Sequence, residues 1–256
     1  MESGLIKILL CGFCLVVVAT AWPITSDTDA EFSGDRFEGD MVLSVAQKKA
    51  IFSGERNGLL DESYRWPNNT LYYTIDTTNF TSDQTHYIRK ALDHLEEVSC
   101  LRFVETDAGC SSCVRVIGDS GGCYSEVGYL GTVQDLNLAP NRPESGCFRL
   151  GTIMHEFLHA LGFYHMQSAS NRDDYVTIVW DKITSGMEHN FIKYQASEVS
   201  SFETQYDYGS VMHYPGTAFS VDGSLTIIPK DPNATIGQRE RLSESDILKL
   251  KRMYSC

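Results

Sequence analysis

The residues with the clearest chemical potential lie in one short string, His155-Glu156-Phe157-Leu158-His159-Ala160-Leu161-Gly162-Phe163-Tyr164-His165. On a helix, His155 and His159 project from the same face one turn apart, so both imidazoles can bind one metal ion. Glu156 falls on the rim of that face, where its carboxylate can touch a metal-held water without ligating the metal. A helix continued past Gly162 would carry the next side chains away. A glycine that takes positive φ turns the chain back and lets His165 complete a set of three. Three neutral imidazoles around Zn²⁺ leave a position open for water, the arrangement of a catalytic rather than a structural zinc. Zinc lowers the pKa of such a water to about 7, and Glu156 could accept its proton and pass it to a leaving amine. The reaction implied is peptide-bond hydrolysis.

These residues need a helix to hold them. The pattern places one from Arg149 to Leu161, stopped by Gly162. An earlier helix is expected from Ser82, with Ile88, Ala91, Leu92, Leu95 and Val98 on one apolar stripe. A last one begins at Ser243, where Ser243-Glu244-Ser245-Asp246 resembles a capping box. Strands are expected at Leu71–Ile75, Leu101–Val104, Val114–Ile117 and Val133–Leu138. The chain between Thr184 and Gly237 reads as irregular. The stretch from Trp22 to about Arg56 is polar and without sustained periodicity, and reads as a propeptide rather than part of a core.

The first 21 residues read as a secretory signal peptide, with Lys7, an apolar run from Ile8 to Ala19 and a cleavage site after Ala21. That run is shorter than the roughly 20 residues a spanning helix needs, so no membrane anchor is expected. A secreted, extracellular product follows. Over the full sequence, 34 acidic residues against 21 basic ones give a formal charge of -13, which argues against a nucleic-acid partner. Removing the leader takes Cys11 and Cys14 with it, leaving Cys100, Cys110, Cys113, Cys123, Cys147 and Cys256 for disulfides in an oxidising compartment. Spacing alone leaves their connectivity open, and Cys110-Ser-Ser-Cys113 can be read as a small structural loop or as a redox or metal dithiol. Three sequons begin at Asn68, Asn79 and Asn233, each a candidate glycan site.

Downstream, Ser210-Val211-Met212-His213-Tyr214 matches the methionine turn of the metzincins, with Met212 beneath the metal. Together with Gly122-Cys123-Tyr124-Ser125 and Arg172-Asp173, the chain from Asn57 to Cys256 resembles the astacin family of secreted zinc metalloendopeptidases. The resemblance implies an α+β, two-lobed fold with zinc at the floor of a cleft. A twisted sheet with an antiparallel edge and two long helices would form the N-terminal lobe, and a more irregular lobe would end in a final helix. It implies His155, His159 and His165 as ligands, Glu156 as general base and Tyr214 as an extra ligand that swings away to stabilise the oxyanion. It implies the pairs Cys100–Cys256 and Cys123–Cys147, which leave Cys110 and Cys113 for each other. Extended protein or peptide substrates would lie antiparallel to the edge strand around Cys123 to Ser125.

Family zymogens share a propeptide Phe-x-Gly-Asp whose aspartate fills the open zinc position. Phe37-Glu38-Gly39-Asp40 matches it, as does Phe32-Ser33-Gly34-Asp35. Asp40 is preferred because the apolar Met41-Val42-Leu43 follows it. A trypsin-like protease would activate the chain at Arg56-Asn57. Relatives usually carry Glu where Met166 stands, linked to the mature amino terminus, and often Arg and Asp where Ala169 and Asn171 stand. Gln167 could partly stand in for that Glu. A different class of function, an inactive extracellular binding module on the same fold, is opposed by the retention of every ligand and the base.

Overall fold

The computed structural model describes residues 29–32, 36–53, 61–195 and 200–256. The leader, Asp35 and the Arg56-Asn57 junction lie outside them. No helix among the described residues is long and apolar enough to cross a membrane.

Among the described residues, eight strands and four α-helices form, in order, β1 (Met41–Val42), α1 (Val45–Ser53), β2 (Thr70–Ile75), α2 (Ser82–Glu97), β3 (Arg102–Glu105), β4 (Cys113–Ile117), β5 (Cys123–Glu126), β6 (Val133–Leu138), α3 (Leu150–Ala160), β7 (Val176–Ile178), β8 (Ile227–Pro229) and α4 (Glu244–Met253). The first six strands make one mixed sheet in the order β1-β5-β6-β4-β2-β3. Strand β5 runs antiparallel to β6, while the β6–β4, β4–β2 and β2–β3 pairs are parallel.

Alternation builds β2: Leu71, Tyr73 and Ile75 face inward, and Tyr72 is exposed. A capping box starts α2, in which the Thr81 side chain accepts from the Gln84 amide and the Gln84 side chain reaches back to Thr81. Its stripe of Ile88, Ala91, Leu92 and Leu95 is fully buried against the sheet and α3 in one large apolar cluster. Helix α3 is buried on every side from Gly151 to Ala160, which an amphipathic surface helix would not be.

The carboxyl end of α3 decides where His159 points, and its terminal carbonyls all find donors. The Trp66 indole N–H donates to the Ala160 carbonyl at 2.7 Å, the Gly128 and Gly162 amides to His159 at 2.9 and 2.8 Å, and the Tyr254 hydroxyl to Leu161 at 2.8 Å. Gly162 takes φ of +106°, the turn that ends the helix and returns the chain toward it.

The second lobe is smaller. Val176, Ile183, Phe191, Tyr206, Tyr214 and Ile227 form its core around the antiparallel β7–β8 pair and a series of short 3-10 turns. Helix α4 closes the molecule with the expected capping box, the Ser243 side chain accepting from the Asp246 amide. Disulfides join Cys100 to Cys256, Cys123 to Cys147 and Cys110 to Cys113. Asn68, Asn79 and Asn233 are exposed.

The segment before residue 54 departs from the sequence expectation. The reading of this stretch as lying apart from any core is corrected here: Met41 and Leu43 are buried with Val127, and Glu31, Glu38 and Asp40 are buried as well. Two-residue β1 pairs parallel with β5, matching Met41 to Ser125 and Val42 to Glu126, and so covers the edge of the sheet. Helix α1 follows, its start held by the Ser44 hydroxyl accepting from the Gln47 amide and the Gln47 side chain accepting from the Ser44 amide.

Candidate metal centre

Each of the three histidines is fixed through its Nδ1. His155 donates to the Val211 carbonyl at 2.9 Å, His159 to the Phe163 carbonyl at 2.7 Å, and His165 to Glu38 Oε2 at 2.8 Å. These acceptors cannot donate, so in the neutral ring the proton sits on Nδ1 and Nε2 is the inward-facing donor atom. The His155 Nε2 lies 3.0 Å from that of His159 and 3.3 Å from that of His165. Asp40 completes the group. Its Oδ2 is 3.1 Å from His155 Nε2 and 3.2 Å from His165 Nε2, and its Oδ1 is 3.5 Å from His159 Nε2.

All four side chains are buried, and their donor atoms lie within 4.8 Å of one another. Three lone pairs and a carboxylate aimed at one point repel each other in a dry interior unless a cation sits among them. A tetrahedral zinc with arms of ~2.05 Å spaces its ligands roughly 3.3 Å apart, close to the separations observed. The donor set therefore fits zinc, with imidazole nitrogens and one carboxylate and no sulfur.

The metal-free rings differ in charge. Burial pushes the His155 pKa down to about 4, with the Arg239 cation adding to it, so this ring stays neutral. At His165 burial also opposes the charged form, but the Asp40 and Glu38 carboxylates outweigh it and raise the pKa to about 9, so the metal-free ring holds a second proton that a zinc would displace. Burial works against the Asp40 carboxylate too, yet His165 and His159 hold its pKa well below the usual range. Glu156 behaves oppositely. Burial, then the Asp40 and Glu31 carboxylates, push its pKa well above normal, and neither of its oxygens has a hydrogen-bond partner among the described residues.

The turn from Ser210 to Tyr214 lies against this group. Asp246 accepts from the Ser210 hydroxyl at 2.6 Å and the Val211 amide at 2.8 Å, which fixes the carbonyl that orients His155. Buried Met212 lends its carbonyl to the Met166 amide at 2.9 Å, tying the turn to the residue after the third histidine. Tyr214 packs its ring 4.6 Å from that of His165, and its hydroxyl donates to the Glu38 carbonyl at 2.5 Å. Gln167, expected as a partial replacement for an acidic residue at 166, accepts from the Tyr214 amide at 3.2 Å instead. Arg172 braces the following loop by donating to the Gln167 carbonyl at 3.2 Å.

Three important residues escaped sequence reasoning. Glu38 is fully buried and accepts from the Ser168 and Tyr194 hydroxyls, both at 2.7 Å, besides His165. Glu31 and Arg239 form a buried pair at 2.6 Å, and the Thr152 hydroxyl on α3 donates to the same carboxylate at 3.0 Å. Glu38 sits inside the Phe37–Asp40 motif, which was its only sequence signal. Nothing local marks Glu31 or Arg239, which are brought together across 208 positions. Gly39, at φ +84°, permits the turn between Glu38 and Asp40, and a Cβ there would meet the Glu31 carbonyl at 2.8 Å.

Residues 59–255 match the family model of the astacin peptidases. The chain is 38% identical over 242 residues to "Zinc metalloproteinase nas-15" of Caenorhabditis elegans, covering 90% of this chain and 41% of that protein. It is 38% identical over 233 residues to "Seminal metalloprotease 1" of Drosophila melanogaster, covering 89% and 90%. A solved structure of high choriolytic enzyme 1, a hatching-enzyme zinc protease from the medaka Oryzias latipes, aligns with a TM-score of 0.69 at 34% identity, covering 77% of this chain and 96% of that one. This chain thus spans under half the length of the first nematode relative and nine tenths of the fly one.

Proposed function

Because the chain belongs to the astacin family of peptidases, we propose that it is a secreted zinc-dependent endopeptidase made as a zymogen. The observation that carries this reading is the convergence of three Nδ1-anchored imidazoles on one point beside a partnerless buried carboxyl.

His155, His159 and His165 would hold the metal, with Asp40 as the fourth donor while the propeptide is docked. Zinc there would supply Lewis acidity, polarising a scissile carbonyl and acidifying a water. Glu156 is the general base and then the general acid. Its buried carboxyl has no hydrogen-bond partner among the described residues, which leaves it available to take a proton and deliver it to the leaving amine. Tyr214 already donates to a backbone carbonyl, that of Glu38. With the propeptide gone, the same hydroxyl would face a substrate carbonyl and stabilise the developing oxyanion.

Residues 1–21 are read as the leader, 22–56 as the propeptide and 57–256 as the catalytic domain, released by a trypsin-like cut at Arg56-Asn57. Latency follows from two features. Asp40 occupies the donor position a reacting group would need, and β1 covers the β5 edge where substrate would add as a strand. The propeptide runs parallel to β5, opposite to the antiparallel direction implied for substrate, so it fills the cleft without presenting its bonds as substrate does. Substrates are extracellular proteins or peptides.

The test is activity after activation. The trypsin-treated full chain is expected to cleave a protein substrate, to stop on zinc chelation and to recover on zinc return. Glu156→Ala should lose ~10²–10⁴-fold in rate while keeping its zinc. Cleavage that survives chelation, or a zinc-loaded Glu156→Ala as active as wild type, would sink the reading.

A further inference from the structure

A cavity of about 350 Å³ opens beyond the third histidine, walled by Phe163, Tyr164, Met166, Tyr194 and Phe202 and floored by Lys249 of α4. Lys249 is only 8% exposed. Its ammonium approaches one polarisable atom, the Met166 sulfur, at 3.0 Å, and no carboxylate lies within ion-pair distance among the described residues. A thioether is a weak acceptor and does little to offset the desolvation of a cation.

The nearest acids are engaged elsewhere. Asp246 accepts from the Ser210 hydroxyl and the Val211 and Ser243 amides, at 2.6, 2.8 and 3.0 Å. Asp207 accepts from the Gly209 amide at 2.9 Å and from the Ser243 hydroxyl. Both act on Lys249 only at longer range, against a burial that pulls its pKa down.

Aromatic walls interspersed with polar side chains such as Ser170, Asn171 and Gln205, together with one buried charged group, are a usual form of a small-molecule site, and this cavity falls in the usual size range of roughly 300–1,000 Å³. We propose that the Lys249 cavity binds a small free aromatic carboxylate, whose charge pairs with the ammonium while its ring packs between the aromatic walls. Lys249 lines the cavity, and Met166 leaves its ammonium without a competing negative partner. This site does not depend on the peptidase reading, since Lys249 and Met166 take no part in the proposed chemistry.

Calorimetric titration of the intact chain in low-chloride buffer tests it, with benzoate as the probe, benzamide as its neutral match and N-acetyl-aspartate amide as a side-chain mimic. A buried charge-assisted contact is worth enough that benzoate should bind at least about tenfold more tightly than benzamide. It should also bind more tightly than the aspartate mimic, which lacks the ring. Lys249→Met should bring benzoate down to the benzamide level. Met166→Glu, which places a carboxylate against the ammonium, should abolish benzoate binding in a chain that keeps its circular dichroism. The second variant decides the matter if the first fails to fold. Equal binding of benzoate and benzamide, tighter binding of the aspartate mimic, or benzoate binding unchanged in either folded variant would overturn the proposal.

Discussion

The covering segment around residues 29–53 and the lobe beneath it are held in different ways. The lobe rests on a single apolar cluster in which α2, α3 and the sheet bury Ile88, Leu92, Phe157 and Leu158, and its helix ends are capped by hydrogen bonds. The covering segment has a small apolar patch, Met41 and Leu43 against Val127. Most of its grip is charged: Glu31 on Arg239, Glu38 on His165, and Asp40 on all three histidines. Burying apolar area suits a part that stays, since its contribution does not depend on protonation or on a neighbouring charge. Paired buried charges are costly to separate one at a time. On the zymogen reading proposed above, they would hold tightly while the segment is continuous with the rest of the chain and contribute nothing once it is cut and leaves.

That contrast can be broken at either side. The largest effect is expected in the lobe, where Phe157→Ala opens a cavity among Tyr73, Phe103 and α3 and should cost ~3–5 kcal/mol in denaturant unfolding. It should weaken the zymogen and the activated enzyme alike.

Glu31→Gln should come next, costing about 3 kcal/mol by leaving Arg239 buried without its anion, and only while the segment is docked. Activated enzyme should be unchanged. This difference also has a pH signature. Burial opposes ionisation of Glu31, but Arg239 outweighs it, so its folded pKa lies below the ordinary 4.5. The stability it contributes is therefore present above about pH 4.5 and lost as pH falls through the lower folded value. The gap in unfolding temperature between wild type and Glu31→Gln should be full at neutral pH and shrink in acid. A gap that is flat or widens in acid would separate Glu31 from the docking.

The smallest effect is expected at the α4 cap. Ser243→Ala removes one side of a capping box and should cost ~1 kcal/mol, measured as a shift in unfolding midpoint common to both forms.

What could be read in the sequence follows the same division. The His155–His165 string, the Ser243 box and the apolar stripe of α2 are local patterns, in which a spacing of three or four residues already states which side chains share a face. The helices fell within a residue or two of their expected limits, with Arg149 and Leu161 serving as caps of α3 rather than as its ends. Apart from the Phe37–Asp40 motif, the covering segment gave no such signal. Strand β1 is two residues long and exists only because β5 offers an edge, and α1 has almost no apolar asymmetry to betray it. Glu31 looked like one acidic residue in a polar stretch, and its meaning depends on an arginine more than two hundred positions away. Lys249 likewise reads as a surface lysine until α4 is seen to turn it inward.

The central claim is that three imidazoles and the Asp40 carboxylate enclose one zinc in the intact chain. X-ray absorption at the zinc edge of the purified intact chain tests it most directly. The expected result is one zinc per chain in a shell of three imidazole nitrogens and one oxygen, with the oxygen contribution altered in Asp40→Ala. A chain that retains no zinc, or a shell containing sulfur, would contradict it.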